Sequence, residues 1–417
     1  MKNVLILCDI FPPAFSPRMG YLCKYLPALG WNPIIITEYS PQNIYKNLAE
    51  NQDVTYINYY WSKNKICQHL KYIFVFLADF FFNYKNYIIR KKAKNIIREQ
   101  HISVILSSSY RTYPALAACQ LSRRYGIPLV MDLRDIFEQS QNNELISKKI
   151  SGQKWINNII ASIIKTKLMR QRNKILKIAD CVTTVSDWHV KTLSEYNPNV
   201  NLIYNGYDSE LFYPEKMENE KFIITYAGRL HSQELRNPSL LFEAVEKLSA
   251  EEKINPKTFR IHFYLTDKTS KEIVLALAQK YAVTEFIDYF AGVQNTKIPT
   301  ILNESSILLL LANKSSEEKG PKGIMGTKLF EYLAVEKPIL CIRNDEDCLE
   351  KTINSANAGL AASTAEETAD FILEKYAEWQ QNGYTRQLVN REFIQQFSRK
   401  RQAEEFVGIF ESLECCC

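Results

Sequence analysis

Residues 320–340 read GPKGIMGTKLFEYLAVEKPIL. Gly320, Gly323 and Gly326 precede an apolar stretch of helical spacing that starts near Thr327, and KPIL then opens a buried strand. Loop, helix and strand in that order form the building block of a parallel sheet with helical cover. The glycines let the backbone turn tightly, and a helix starting near Thr327 points its unpaired N–H groups back toward the loop. Such a place attracts an anion; Lys322 and Lys328 add positive charge, and Glu331, one turn on, is positioned to accept hydrogen bonds from sugar hydroxyls. The same spacing also suits a flexible loop that caps an ordinary helix and leaves Glu331 exposed.

The pattern extends over the chain. At 417 residues, two domains of roughly 150–200 residues each are expected. Strand-length apolar runs alternate with helical segments: NVLILC, PIIIT, SVILSSS, IPLVMDL, CVTTVS and VNLIYN, then FIITYAG, RIHFYLT, FIDYFAG, SSILLLLA and KPILCIR. The expectation is an α/β protein of two doubly wound, Rossmann-like domains. The first spans 1–205, a polar linker 206–220, the second 221–385, and a helical tail 386–417 packs back on the body. Ligands of open sheets sit at the carboxyl ends of strands, so the expected site is a cleft that the two domains face. In YNGYD, Asn205 and Gly206 have the look of a hinge, with Gly206 permitting a positive φ, or of a plain turn.

Several classes are excluded. The 52 Lys and Arg exceed the 46 Asp and Glu only slightly, and no nucleic-acid partner is implied. Ten scattered cysteines without metal-ligand spacing point to a reducing compartment and away from structural zinc. The terminal Cys415, Cys416 and Cys417 fit no prenylation signal well. MKNVLILCDI is too short an apolar run for a signal peptide or a span, and the run from Tyr72 to Phe82 is interrupted by Asp79. That run, followed by NYKNYIIRKKAKNIIR, and the stretch from Glu144 to Lys177, with nine Lys or Arg against one Glu, interleave aromatic and aliphatic residues with positive charge. They suit either an anionic membrane surface or solvated helix faces whose apolar sides join the core.

MDLRD places Asp132, Arg134 and Asp135 at the end of a buried strand, where a doubly wound sheet puts functional side chains, although Arg134 paired with a neighbouring aspartate would be a structural alternative. DED at 345–347 mimics a D-x-D metal motif but comes after a strand of the second domain and reads as a solvated loop, so no metal is expected. His189 and His231 are further polar candidates.

GTKLFEYLAVEKPIL resembles the donor-nucleotide segment of GT-B glycosyltransferases, in particular glycosyltransferase family 4. FPPAFSPRMG, IPLVMDLRD, ADCVTTVS, LIYNGYDSELFYP and ITYAGRL stand in the family's order over nearly the whole chain. The resemblance implies that Glu331 holds the nucleotide ribose, and that Arg229, with Arg236 after about two inserted residues, clamps the diphosphate. Gly20 would end a loop that lets the sugar diphosphate reach a helix N-terminus, and Arg18 would touch acceptor or phosphate. Gly326, Thr327, Lys328 and Lys322 would complete the donor site, and Asp132, Arg134 and Asp135 would face the acceptor. The family commonly carries two glutamates eight positions apart, and Gly323 stands where the first would be.

The resemblance further implies a metal-independent, retaining transferase with no cofactor. Such an enzyme would move a hexose or aminosugar from a nucleoside diphosphate sugar, UDP before GDP, to a glycan or polyprenyl-linked acceptor in surface polysaccharide synthesis. Its expected place is cytoplasmic, peripheral on the inner face of the plasma membrane. The rival readings are a sugar-nucleotide epimerase of the same architecture and a non-catalytic, membrane-associated nucleotide-sugar-binding protein.

Overall fold

The structure, a computed structural model, describes residues 1–109, 112–139, 154–232, 235–313 and 323–414. The chain divides into two compact units, Met1–Tyr204 with Arg399–Cys417, and Asn205–Ser398.

The first unit runs β1 (Lys2–Cys8), α1 (Pro17–Tyr25), β2 (Trp31–Glu38), β3 (Asp53–Ile57), α2 (Lys65–Phe82), α3 (Tyr84–Glu99), β4 (Val104–Ser108), α4 (Ala115–Tyr125), β5 (Leu129–Leu133), α5 (Lys154–Leu176), β6 (Cys181–Thr184), α6 (Asp187–Leu193) and β7 (Val200–Leu202). Its seven strands are parallel in the order β3-β2-β1-β4-β5-β6-β7. Leu5 and Leu7 of β1 enter one hydrophobic core and Val4 and Ile6 the other. Helices cover both faces of a parallel sheet, so NVLILC is an unbroken apolar run rather than an alternating one.

The second unit runs β8 (Phe222–Gly228), α7 (Ser239–Ala250), β9 (Phe259–Leu265), α8 (Lys268–Lys280), β10 (Ile287–Ala291), α9 (Ile298–Asn303), β11 (Ile307–Leu311), α10 (Thr327–Ala334), β12 (Ile339–Ile342), α11 (Cys348–Ser355), β13 (Gly359–Ala362), α12 (Ala365–Asn382) and α13 (Arg391–Gln395). Its parallel order is β10-β9-β8-β11-β12-β13. In both sheets the first strand lies inside and the order reverses beside it, the Rossmann pattern.

The stretch 386–417, expected as one tail, is shared between the units. Residues 386–398 stay with the second, while α14 (Arg399–Glu414) belongs to the first. Ala403, Phe406, Val407 and Phe410 form one apolar stripe of α14 and join the core on the Val4 and Ile6 side of β1. The Phe410 ring lies 5.1 Å from that of Trp31. The helix α2 continues through Asp79, whose Oδ1 accepts the Lys85 N–H at 2.8 Å, tying α2 to α3. Gly206 does not adopt a positive φ; Gly228 and Gly323 do.

Candidate functional site

In the second unit the sheet order reverses between β8 and β11, and four basic side chains gather at the carboxyl ends of these strands. β8 ends at Gly228, whose φ is +139°. A Cβ there would stand 2.2 Å from the Lys328 Nζ, so only glycine leaves the lysine its place. Lys328 is the second residue of α10; its ammonium donates to the Tyr226 hydroxyl at 3.3 Å and lies 4.4 Å from that ring's centroid. The Tyr226 hydroxyl donates to the Arg229 carbonyl at 2.6 Å. Arg236 donates to the same carbonyl at 2.8 Å and, through Nε, to Asn313 Oδ1 at 3.0 Å just beyond β11. Arg229 donates from Nε to Thr266 Oγ1 at 3.1 Å and keeps 60% of its side chain exposed.

The electrostatics are unbalanced. Burial pushes the Lys328 ammonium down to about 7, the positive Arg236 adds to this, and Glu331 acts in the opposite direction. The imidazole of His231 is lowered by burial and then by Arg236, Arg229 and Lys328. Asp267 Oδ2 lies 3.9 Å from Arg229 Nε and acts in the opposite direction on His231, and the cations beside it complement an anion. Beside them Gly326 is the N-cap of α10 and supplies no side-chain cap, while Thr327 opens the helix. The first-turn N–H groups therefore add partial positive charge at the same place. Glu331 is half-buried in the following turn.

The structure thus brings Arg229, Arg236, Gly326, Thr327, Lys328 and Glu331 into one unit, around one loop and one helix. Lys322, with Gly320, lies outside the described residues. Tyr226, Gly228 and Asn313 are partners that motif reading did not single out; Tyr226 and Gly228 stood inside the quoted ITYAGRL, but nothing local shows that a lysine a hundred residues on fills the space beside them.

In the first unit, three expectations are corrected. Arg18 and Asp132 do not face a ligand: both are buried, with Arg18 NH2 2.9 Å and Nε 3.1 Å from Asp132 Oδ1. Asp132 also accepts from Ser108 Oγ at 2.8 Å and Thr183 Oγ1 at 2.9 Å, and Arg18 NH1 donates to the Tyr204 carbonyl at 2.8 Å. Burial works against the Asp132 charge, yet the Arg18 guanidinium beside it holds the carboxyl below its ordinary value. Gly20 does not end a loop: α1 begins at Pro17, so Gly20 lies inside the helix, and a Cβ there would meet Pro12 Cγ at 2.6 Å and Leu48 Cδ1 at 3.0 Å. Its small size serves packing.

Arg134 NH2 reaches Asp9 Oδ1 at 3.5 Å, and Asp135 is exposed just beyond β5. His189 is buried against Thr184 Oγ1 at 3.0 Å, and burial pushes its imidazole down to about 4. In the DED stretch, Asp345 accepts the N–H groups of Asp347, Leu349 and Glu350 at 3.0–3.1 Å and so caps the start of α11.

Two Rossmann-like units, one with cations and a helix N-terminus at its switch point, define an α/β protein equipped for a phosphate-bearing ligand. Residues 18–211 match the family model described as Glycosyltransferase Family 4. The fold is shared with sucrose-phosphate synthase from Thermosynechococcus elongatus, with a TM-score of 0.63 at 13% identity over 100% of both chains. It is shared with HepE of Anabaena, solved in complex with UDP and glucose, with a TM-score of 0.62 at 13% identity over 99% of this chain and 100% of that one. The lipopolysaccharide outer core galactosyltransferase WaaB is similar at 0.55, with 11% identity over 99% of each chain. No curated protein matches the sequence significantly. Residues 18–211 are thus similar to glycosyltransferase family 4, and the chain as a whole shares the two-domain GT-B fold of these solved proteins.

Proposed function

We propose that the protein transfers a hexose or aminosugar from a nucleoside diphosphate sugar, UDP before GDP, to a glycan or polyprenyl-linked acceptor in surface polysaccharide synthesis, with retention of configuration. The observation that carries this reading is the gathering of Arg229, Arg236 and Lys328 beside the uncapped N-terminus of α10. Such a site matches a diphosphate and strengthens as charge grows on it during cleavage of the glycosidic bond. These cations would supply the positive charge for which other transferases use a metal. Glu331 would accept hydrogen bonds from the ribose. The UDP held by HepE favours the uridine nucleotide, and the outer core role of WaaB favours a surface glycan.

In the transfer, the acceptor oxygen bonds to the anomeric carbon as the bond to the diphosphate breaks, and the acceptor proton passes to the departing phosphate oxygen. Arg134 and Asp135 would meet the acceptor in the first unit. The buried Arg18–Asp132 pair would position the end of β5 that carries them.

The same reading puts the protein on the cytoplasmic face of the plasma membrane. In α2 only Val75 is buried, while Ile66, Leu70, Phe74, Leu77 and Phe81 are exposed at helical spacing. Lys65 and Lys71 on α2 and Lys91, Lys92 and Lys94 on α3 add positive charge nearby. Such a surface suits anionic lipid headgroups. Among the described residues no helix is long and apolar enough to cross a membrane.

Thermal unfolding with UDP, GDP and other nucleoside diphosphates, for wild type and Glu331→Ala, tests the donor reading. Ligand at a hundred times its Kd should add about 2.7 kcal/mol. UDP should raise Tm, less so in the variant; a folded protein that responds to no nucleotide would favour the non-catalytic reading.

A further inference from the structure

The helix α10 carries Lys328 and Glu331, yet little in its own sequence holds it in place. It has eight residues, Thr327–Ala334, fewer than an isolated helix needs to persist in water. Its N-terminus has no side-chain cap, and at the other end Val335 follows in helical conformation with no glycine next to it. Leu329, Phe330, Tyr332 and Leu333 are buried, and the Phe330 ring lies 4.9 Å from that of Phe397. This packing secures one face of the helix, while its ends need partners of their own.

The rear end is held through Glu336. This residue is buried and stands at φ +53°, a conformation that costs free energy for any side chain. Its carboxylate accepts from Arg391 Nε at 2.5 Å and NH2 at 2.9 Å, and from Arg386 NH2 at 3.2 Å. Its carbonyl accepts the Gln387 N–H at 3.0 Å. The next residue, Lys337, is buried as well and donates to the Thr385 carbonyl at 3.4 Å. Two consecutive residues after α10 thus fasten to the stretch 385–391, all within the second unit.

The charge arrangement accounts for a glutamate in this place. A lone carboxylate just past the last helical carbonyls is disfavoured, whereas cations there are favoured. Arg386 and Arg391 turn the group net positive, and Glu336 is the acceptor through which both reach the end of α10. A plain turn would be served better by glycine, which adopts this φ freely and needs no clamp. We propose that Glu336 is a positioning residue for the donor site: by fastening the rear of α10 to 385–391, it sets where Lys328 and Glu331 meet the nucleotide. This rests on the donor reading above and adds a residue that acts only through α10.

The test is a double-mutant cycle on the full chain, with UDP affinity read by calorimetric titration and α10 read by amide hydrogen exchange. Glu336→Gly relieves the backbone and removes the clamp. Arg391→Gln, on a side chain that is 62% exposed, removes two of the three guanidinium hydrogen bonds. Each should weaken UDP binding about fivefold, and without UDP the amides of 329–334 should exchange about tenfold faster. In the Glu336→Gly background, Arg391→Gln should change UDP affinity no further.

Unchanged UDP affinity in both single variants would overturn the proposal, as would effects of the two substitutions that simply add in the double variant. A fall in stability with affinity and exchange intact would make the clamp purely structural and overturn it too. Absence of UDP binding by wild type would instead count against the transferase reading. Hydrogen exchange would then decide alone: faster exchange of α10 in both variants supports the latch, and unchanged exchange removes it.

Discussion

The carboxyl ends of the two sheets use charge in opposite ways. In the first unit, Arg18 and Asp132 neutralise each other, and Ser108 and Thr183 complete the shell of the carboxylate. In the second, Arg229, Arg236, Lys328 and His231 lie close together, and burial first, then the neighbouring cations, depress the protonation of Lys328 and His231, with Asp267 near Arg229 acting the other way. A buried ion pair with all its hydrogen bonds made secures local structure, whereas a cluster of like charge is costly until an anion arrives. The same Rossmann order therefore supports a frame in one unit and a binding place in the other.

Breaking the frame should have the largest effect. Asp132→Ala leaves the Arg18 guanidinium buried without its partner, and about 3–5 kcal/mol of stability should be lost in urea unfolding. The Asp132 carboxyl is lowered in the folded state. Its contribution is thus fully present above the unfolded carboxylate value of about 3.9 and is lost as pH falls through the lower folded value. Acid unfolding of the wild type should show this loss and Asp132→Asn should not; an identical acid limb in both would contradict the assignment.

Gly20→Ala comes next. Its methyl would lie 2.6 Å from Pro12 Cγ, and overpacking of this kind typically costs about 1–3 kcal/mol. Stability should fall while UDP affinity stays the same; a selective loss of UDP binding would restore Gly20 to the donor site. Gly228→Ala sharpens the contrast from the other side. It strains a φ of +139° and displaces the Lys328 ammonium, so UDP affinity should drop about tenfold, the equivalent of 1.4 kcal/mol. Gly326→Ala, with φ −70° and open space at its Cβ, should change UDP affinity less than about twofold, or 0.4 kcal/mol.

A further contrast lies in pH. Lys328 sits at about 7 in the free protein, and a diphosphate prefers its protonated form. UDP affinity should weaken as pH rises from 7 to 9, and the profile of Lys328→Met should be flatter over that range. Parallel profiles would remove Lys328 from the phosphate contact.

Much of the fold was legible because interior parallel strands are buried on both faces. NVLILC, SSILLLLA and KPILCIR stand out for that reason. β3, DVTYI, and β13, GLAA, were not legible because, only partly covered, they lack the long apolar run. The helix beginning at Thr327 was legible from its glycine loop and apolar spacing. The fate of Arg18 and Asp132 was not, since ion pairing over 114 positions leaves no local pattern.

The sequence by itself determined the two α/β units, the basic loop and helix around Lys328 and Glu331, and the apolar and positive character of α2 and α5. These properties depend on neighbours a few residues apart, through helix and strand periodicity. Only the tertiary structure decided which charges are consumed and which remain. Arg18 found Asp132 inside the first unit, and Lys328 filled the space that Gly228 leaves. Each depends on groups far apart in the chain, and whether a charge is neutralised or held for a ligand is set by what packing brings beside it.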